Sequence, residues 1–273
     1  MRTISLREMQ QLELALLLEF DKVAKAYGLR YYLDGGTLLG AMCYEGFIPW
    51  DDDIDLKMPR PDYEKLQTLQ AAFSPHIRLE APRAGRCDYL FTKLTDDRTV
   101  LIEHEGNTRK ISGIYIDILP MDGHPAEAEE CERHLAALSR LNSLFHCAQN
   151  HFAAMKAAAS PLTRLKGQVY DRLYTPWRLY RRLTKRAERY PYDGAAAVGL
   201  VVEGNPQKER FEKSWLEPPA ELLFEGHRFP APNAYRQHMV IFYGEHVIKP
   251  ECYHNLPQYP SSHHHEVYWK DDI

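Results

Sequence analysis

Apolar residues recur at helical spacing in the first part of the chain. Over residues 12–23 they return every three or four positions, which predicts an amphipathic helix that extends to about Tyr27. Ser5 is the expected N-cap, with Glu8 completing a capping box, and Gly28 is a typical terminator. We interpret this helix as packing over a sheet, and we assign it no part in function.

Shorter apolar or alternating runs, bounded by turn residues, predict strands. These runs span residues 31–34, 50–56, 77–80, 88–94, 99–102, 113–123 and 198–202. We expect a turn at 96–98 and a hairpin that reverses at Glu225-Gly226. Further helices are predicted over residues 61–73, 126–159, 162–189 and 233–243. This order predicts an α/β (α+β) fold in which a mixed sheet forms the core and helices are added to it.

Composition places the chain among ordinary globular proteins. It has 273 residues, of which 44% are hydrophobic and 26% charged, and a net charge of −4, so it lacks the broad basic field of a nucleic-acid-binding protein. No apolar run approaches the roughly 20 residues that span a bilayer, and the first residues do not resemble a signal peptide. We therefore expect a cytoplasmic protein. Its five cysteines form no C-x-x-C pair, which argues against a zinc ribbon or a disulfide framework.

A glycine turn follows the first predicted strand. Asp34-Gly35-Gly36-Thr37 ends that strand and opens a short helix. The first N–H groups of a helix have no intrahelical acceptor, which suits a phosphate, and glycine lets a phosphate approach the main chain closely. A Gly-Gly pair alone is more often only a turn, so this motif is weak by itself.

An acidic run follows at Asp51-Asp52-Asp53-Ile54-Asp55. In a strand, alternate side chains share a face, so Asp51, Asp53 and Asp55 would lie on one face and Asp52 and Ile54 on the other. Three carboxylates so close repel one another unless a cation intervenes. Oxygen ligands in such a cluster suit Mg²⁺ or Mn²⁺.

The acidic run has two simpler interpretations. Most acidic runs are solvated loops, but here apolar residues flank the run on both sides, which a solvated loop would not need. A calcium-binding EF-hand loop also begins Asp-x-Asp-x-Asp. It requires Gly at its sixth position and Glu at its twelfth, where this chain has Leu56 and Asp62, so that interpretation is rejected.

Two further charged residues lie inside predicted strands. Lys93 could reach a phosphate as a point charge, or it could be an exposed lysine on an edge strand. Asp117 interrupts the apolar segment Gly113–Gly123. A lone acid in such a run must be paired, bind a metal or face a cleft.

Together, GGTLLGA and GFIPWDDDID resemble the signature of the LicD/fukutin family. The similarity continues through Pro59-Arg60-Pro61-Asp62-Tyr63, is fair at Lys93 and over 113–123, and is recognisable over 224–250. It does not cover the helical middle of the chain. The chain departs from many relatives at Cys43-Tyr44, where they carry Arg-His. If that Arg touches phosphate in them, another residue must do so here.

The resemblance implies a nucleotidyltransferase-like core. We expect residues 1–125 to form this catalytic core, 126–195 a helical insertion packed on it, and 196–273 the part that completes the same domain. The implied activity is transfer of phosphocholine, or a similar phospho-alcohol, from CDP-choline or a related CDP-alcohol. The implied acceptor is a hydroxyl of a cell-surface glycan, such as teichoic acid, lipopolysaccharide or a capsule precursor.

The resemblance also assigns roles to residues. Donor phosphates are expected at Gly35, Gly36, Thr37 and Lys93. One or two Mg²⁺ or Mn²⁺ ions are expected at Asp51, Asp53, Asp55 and Asp117. Of these, Asp53, Asp55 and Asp117 are the expected catalytic residues. Asp117 is either a metal ligand or the base that takes the acceptor's proton.

Other interpretations stay open from the sequence. An Asp-x-Asp metal site also occurs in nucleotide-sugar glycosyltransferases, and a non-catalytic scaffold of glycan modification is a second alternative. The predicted helix over 162–189 is strongly basic. It could contact anionic lipid at the inner face of the membrane or a lipid-linked glycan acceptor, or it could simply be a solvated face.

Overall fold

The computed structural model describes residues 2–105, 108–156, 160–202, 208–248 and 264–270. Its helices are α1 (Leu6–Tyr27), α2 (Gly35–Tyr44), α3 (Arg60–Leu66), α4 (Ala128–His146), α5 (Phe152–Lys156), α6 (Pro161–Leu173), α7 (Pro176–Ala187) and α8 (Tyr235–Tyr243). Its strands are β1 (Tyr32–Leu33), β2 (Asp55–Pro59), β3 (Ile77–Glu80), β4 (Thr92–Glu105), β5 (Thr108–Gly123), β6 (Ala197–Leu200), β7 (Phe211–Glu212), β8 (Ala220–Phe224), β9 (His227–Ala231) and β10 (His264–Trp269). Helices combined with a mixed sheet confirm the α/β prediction.

Some predicted features fall outside the described residues. They are the last residues of the helix predicted over 126–159, the end of the C-terminal motif at 249–250, and Cys252. Within the described part of the chain, none of the helices has both the length and the apolar character needed to cross a bilayer.

The chain divides into two compact units. The first unit comprises Met1–Glu80, Thr92–Leu119 and Glu212–Ile273, and the second comprises Ala81–Phe91 and Pro120–Phe211. The helical segment predicted over 126–195 falls wholly within the second unit, which also takes in 196–211.

The first unit is built on a sheet with the strand order β1-β2-β5-β4-β10, and β3 also pairs with β4. The turn predicted at 96–98 is wrong, because these residues lie inside the continuous strand β4, where the register with β5 shifts between Asp96 and Leu101. Thr99 supports this irregularity, since its hydroxyl donates to Asp96 O at 2.8 Å and accepts from Ile114 N at 2.8 Å. The carbonyl of Asp96 occupies the place of a Cβ on Gly113, so only glycine fits there.

Helix α1 has the bounds that its sequence predicts. Ser5 and Glu8 form the capping box, and Gly28 ends the helix in the left-handed conformation at φ 64°. Its apolar face buries Leu17 and Phe20 completely in the main core of the first unit. The predicted packing role is therefore present.

The second unit is mainly helical. Helices α4 and α7 bury Leu138, Phe145 and Leu179 in a second hydrophobic cluster. The helical stretch predicted over 162–189 is present as two helices, because the chain leaves the helical conformation before Pro176 and starts again with Thr175 as the N-cap of α7. Proline has no backbone N–H to donate, so it interrupts the interior of a helix, but it is well accepted in the first turn of one.

Candidate functional site

The glycine turn opens helix α2 as the sequence predicts. Strand β1 leads into Asp34, and the first intrahelical hydrogen bond runs from Leu38 N to Asp34 O at 2.9 Å. The N–H groups of Gly35, Gly36 and Thr37 precede that bond, so they have no intrahelical acceptor. Gly35 has φ +52°, a conformation that favours glycine.

The glycine turn packs directly against the acidic run. A Cβ atom on Gly35 would lie 2.7 Å from Asp55 Oδ2, and one on Gly36 would lie 2.6 Å from Asp51 Oδ2. Any larger residue would displace these carboxylates. The two motifs that the sequence presents separately therefore form one site within the first unit.

The acidic run is only partly a strand. Strand β2 begins at Asp55, and residues 51–54 precede it without regular secondary structure. Burial alternates as expected, with Asp51 and Asp53 half-buried and Asp52 buried. However, Asp52 does not turn away from its neighbours as the strand pattern predicted. One carboxylate oxygen from each of Asp51, Asp52 and Asp53 lies within 4.8 Å of the others.

Burial and neighbouring acids disfavour the charged forms of Asp51 and Asp55. Burial, followed by the charges of Asp53 and Asp52, raises the pKa of Asp51 to about 7. Burial, followed by Asp53 and Asp117, raises the pKa of Asp55 well above its ordinary value. Within the described residues, Asp51 Oδ2 is buried without a hydrogen-bond partner. Closely spaced carboxylate oxygens of this kind fit a hard divalent cation such as Mg²⁺ or Mn²⁺.

Lys93 and Asp117 face each other across β4 and β5. They are direct partners in the register, and Lys93 Nζ lies 3.2 Å from Asp117 Oδ1. Lys93 is 3% exposed on a strand paired with β5, β3 and β10, so it is not an exposed edge-strand lysine. Burial raises the pKa of Asp117, Lys93 lowers it and Asp53 raises it again, and the result is a pKa of about 7. The backbone N–H of Asp117 also donates to Ile54 O at 2.8 Å, which ties β5 to the acidic run.

Thr37 has a structural contact inside the site. Its side chain is buried, and Oγ1 accepts a hydrogen bond from Asp55 N at 2.9 Å. This bond joins the start of α2 to the start of β2. The phosphate-binding role expected for Thr37 stays a prediction.

A buried charged group beside the turn was not predicted from the sequence. Lys57 is fully buried, with Nζ 2.9 Å from Asp34 Oδ1, and His238 Nε2 lies 3.3 Å from Lys57 Nζ and 3.4 Å from Asp34 Oδ1. Burial alone would raise the pKa of Asp34, but Lys57 and His238 outweigh it and hold that pKa well below its usual range. A lysine between Leu56 and Met58 was a visible signal. His238 comes from α8, far along the chain, and no feature of the sequence around it indicated this contact.

Helix α1 also reaches the site. The side-chain amide of Gln10 donates to Asp51 O at 2.9 Å, and Glu13 lies one turn further along the helix. From its sequence this helix is expected to have a packing role alone, because its apolar periodicity accounts for most of its residues. That assignment was incomplete.

The chain is similar in sequence to a known family and to several known proteins. Residues 28–134, which contain the glycine turn, the acidic run, Lys93 and Asp117, match the model of the LicD/FKTN/FKRP nucleotidyltransferase domain. The chain is 28% identical over 258 residues to lipopolysaccharide cholinephosphotransferase LicD of Haemophilus influenzae, covering 92% of this chain and 94% of that protein. It is 38% identical over 112 residues to mannosyltransferase regulator 4 of Saccharomyces cerevisiae, covering 38% of this chain and 9% of that protein. It is 44% identical over 50 residues to human ribitol 5-phosphate transferase FKRP, covering 18% and 10% of the two chains.

Proposed function

Because this chain belongs to the LicD family of phosphotransferases, we propose that it moves phosphocholine, or a similar phospho-alcohol, from a CDP-activated donor to a hydroxyl of a cell-surface glycan. The observation that carries this proposal is the contact between the glycine turn and the carboxylates of Asp51 and Asp55. This contact supports a single binding site for both a phosphate and a cation. The similarity to an enzyme named for lipopolysaccharide and choline phosphate favours this donor and acceptor class.

We propose that the acidic run holds Mg²⁺ or Mn²⁺, with Asp51, Asp53, Asp55 and Asp117 as candidate ligands. When bound, such a cation would neutralise phosphate oxygens and lower the pKa of the attacking hydroxyl. The N–H groups at the start of α2 would donate hydrogen bonds to the donor diphosphate. The ammonium of Lys93, which lies beside Asp117, would place a fixed positive charge near the transferred phosphate.

The proposed reaction is a displacement at the phosphorus that carries the alcohol. The acceptor oxygen forms a bond to this phosphorus. The bond from the phosphorus to the bridging oxygen breaks, and its electron pair leaves with CMP. The hydroxyl proton passes to Asp117 if this residue is the base, or to water if Asp117 is a ligand. With a pKa of about 7, Asp117 is suited to accept a proton near neutral pH.

A donor screen tests the proposal. Purified protein is incubated with Mg²⁺ and with CDP-choline, CDP-ribitol, CDP-glycerol or UDP-sugars, and thermal stabilisation and CMP release are measured. We expect stabilisation and CMP release with one CDP-alcohol, only when Mg²⁺ is present. The shape-matched variant Asp53→Asn should lower the rate by at least about 100-fold, since it removes one ligand charge.

The same screen separates the alternatives. Stabilisation by a UDP-sugar alone, with release of UDP, would place the protein among glycosyltransferases. Failure to bind any nucleotide or divalent cation would favour a non-catalytic scaffold. An unchanged rate of CMP release in Asp53→Asn would contradict the assignment of the metal ligands.

We also propose that helix α6 of the second unit lies on an anionic membrane surface, where a lipid-linked acceptor would be found. Its exposed apolar residues follow one helical stripe: Leu162 (63% exposed), Leu165 (57%), Val169 (45%) and Leu173 (52%). Helix α6 carries three basic side chains and one acidic, and α7 carries five basic and no acidic. An apolar stripe flanked by cations is typical of helices that lie in the interface of an anionic bilayer.

Vesicle co-sedimentation tests this surface. The protein should bind vesicles that contain phosphatidylglycerol more tightly than vesicles of phosphatidylcholine alone. The double substitution Leu165→Gln and Leu173→Gln keeps the net charge and should weaken that binding by about 10-fold or more, since it removes apolar area from the interface. Gln168→Ala, on the same exposed helix, is the control. Equal binding to both vesicle types, or no effect of the double substitution, would exclude this role.

A further inference from the structure

Glu13 is a carboxylate that is fully buried in the first unit. It lies in the middle of α1 with 0% of its surface exposed. Within the described part of the chain, neither Oε1 nor Oε2 has a hydrogen-bond partner. A buried acid without partners is costly, and most buried polar groups in proteins are satisfied. The unpaired oxygens of such a residue therefore suggest that it binds a ligand.

The orientation of α1 directs Glu13 toward the acidic run. Gln10 precedes Glu13 by three residues, so the two side chains share one face of the helix. The Gln10 amide fixes this face by donating to Asp51 O at 2.9 Å. The electrostatic surroundings of Glu13 agree with this orientation. Burial, followed by the charges of Asp53, Asp52, Asp51 and Asp117, raises its pKa well above the ordinary value.

We propose that Glu13 is a further carboxylate of the cation site, supplied by α1 to the divalent cation that the acidic run holds. This inference rests on the proposed function, because it presumes that a cation binds at Asp51–Asp53. Without a cation, a buried carboxylate near like charges raises the energy of the site. A divalent cation converts the same arrangement into attraction, because it brings positive charge to oxygens that otherwise repel each other.

Calorimetric titration with MnCl₂ alone, in the absence of nucleotide, tests the proposal without any assay of activity. The variants are Glu13→Gln, which keeps the shape but not the charge, and Glu13→Asp, which keeps the charge. Glu19→Gln is the matched control, since Glu19 lies on the same helix and bonds Ser74. We expect Glu13→Gln to raise the Kd for Mn²⁺ by about 10- to 100-fold, Glu13→Asp to raise it less, and Glu19→Gln to leave it unchanged.

Thermal unfolding of the same proteins, with EDTA or with Mn²⁺, distinguishes a loss of cation binding from a folding defect. If Glu13 contacts the cation, Glu13→Gln should match or exceed the stability of the unaltered protein in EDTA and gain less from Mn²⁺. An equal loss of stability in both conditions, with Mn²⁺ affinity unchanged, would overturn the inference.

The two proposals fail separately. Unchanged Mn²⁺ affinity in Glu13→Gln, together with its loss in Asp53→Asn, would remove Glu13 from the site and leave the proposed function intact. If the unaltered protein binds neither Mn²⁺ nor Mg²⁺, the cation dependence of the proposed function fails, and the assignment of Glu13 fails with it.

Discussion

Substitution of Lys57 by Met tests whether a buried ion pair holds the glycine turn in place. Lys57 is fully buried on β2, and its Nζ lies 2.9 Å from Oδ1 of Asp34, the residue that precedes α2. Asp34 N also donates to Asp55 O at 3.0 Å. The methionine side chain nearly fills the same volume but removes the charge. Asp34 would then be left buried beside His238, without the ammonium of Lys57.

The magnitude follows from the distance and the burial. With an effective dielectric constant of about 20, two unit charges 2.9 Å apart attract by about 6 kcal/mol. The free energy needed to remove both charges from water cancels part of this attraction. Breaking a buried pair by removing one partner typically costs about 3–5 kcal/mol. We expect Lys57→Met to lower the free energy of unfolding by this amount, a large share of the roughly 5–15 kcal/mol of a typical domain.

Urea denaturation in EDTA at neutral pH measures the effect, with Lys57→Met, Asp34→Asn and the double variant forming a double-mutant cycle. We expect a coupling energy of about 2 kcal/mol or more. The control is Lys25→Met. Lys25 pairs with Asp21 at 2.6 Å but is 67% exposed, so its loss should cost less than about 1 kcal/mol. A loss in Lys57→Met no larger than in the control, or a coupling energy near zero, would refute the reasoning.

Three other substitutions give distinct readouts. Gly36→Ala places a methyl group 2.6 Å from a carboxylate oxygen and should slow CMP release about 10-fold or more, whereas Gly194→Ala, whose new Cβ meets nothing within 4 Å, should not. Thr37→Val removes the acceptor of the Asp55 N–H and should cost about 1–3 kcal/mol in urea unfolding, while Thr37→Ser should cost less. Burial lowers the pKa of His124 from 6.5 to about 4. Between these values the unfolded chain binds more protons, so stability falls as pH drops from 6.5 to 4, by at most about 1.4 kcal/mol per pH unit from this residue. His124→Gln should flatten that slope, and an identical slope would contradict the assignment.

Elements with local signals were predictable from the sequence. The bounds of α1 follow from the capping box at Ser5 and the left-handed glycine at its end, which act within a few residues of each other. The hairpin between β8 and β9 reverses at Glu225 and Gly226, both with positive φ, as the turn sequence predicts. In these cases the chemistry that decides the structure is adjacent in the chain.

Features that depend on distant partners were not predictable. Asp96-Asp97-Arg98 has the composition of a turn, yet it stays in β4 because Thr99 and Gly113 let two strands approach across the irregularity. Lys57 stands between two apolar residues in the sequence, but its neighbour His238 on α8 lies 181 residues away. The acids of the site were visible as a pattern, but which of them share one small volume depends on where β2 begins.

The way in which the acidic run is anchored explains how it can hold so many like charges. Neighbouring elements bind its backbone through hydrogen bonds that do not involve the carboxylates: Gln10 donates to the carbonyl of Asp51, β5 donates to the carbonyl of Ile54, and Thr37 accepts from the N–H of Asp55. Because these hydrogen bonds do not use the carboxylate oxygens, the repulsion between carboxylates cannot relax by moving the main chain. The proposed cation would relieve this repulsion when it binds. A cation should therefore bind with little change of backbone structure and should raise the stability of the first unit as it binds.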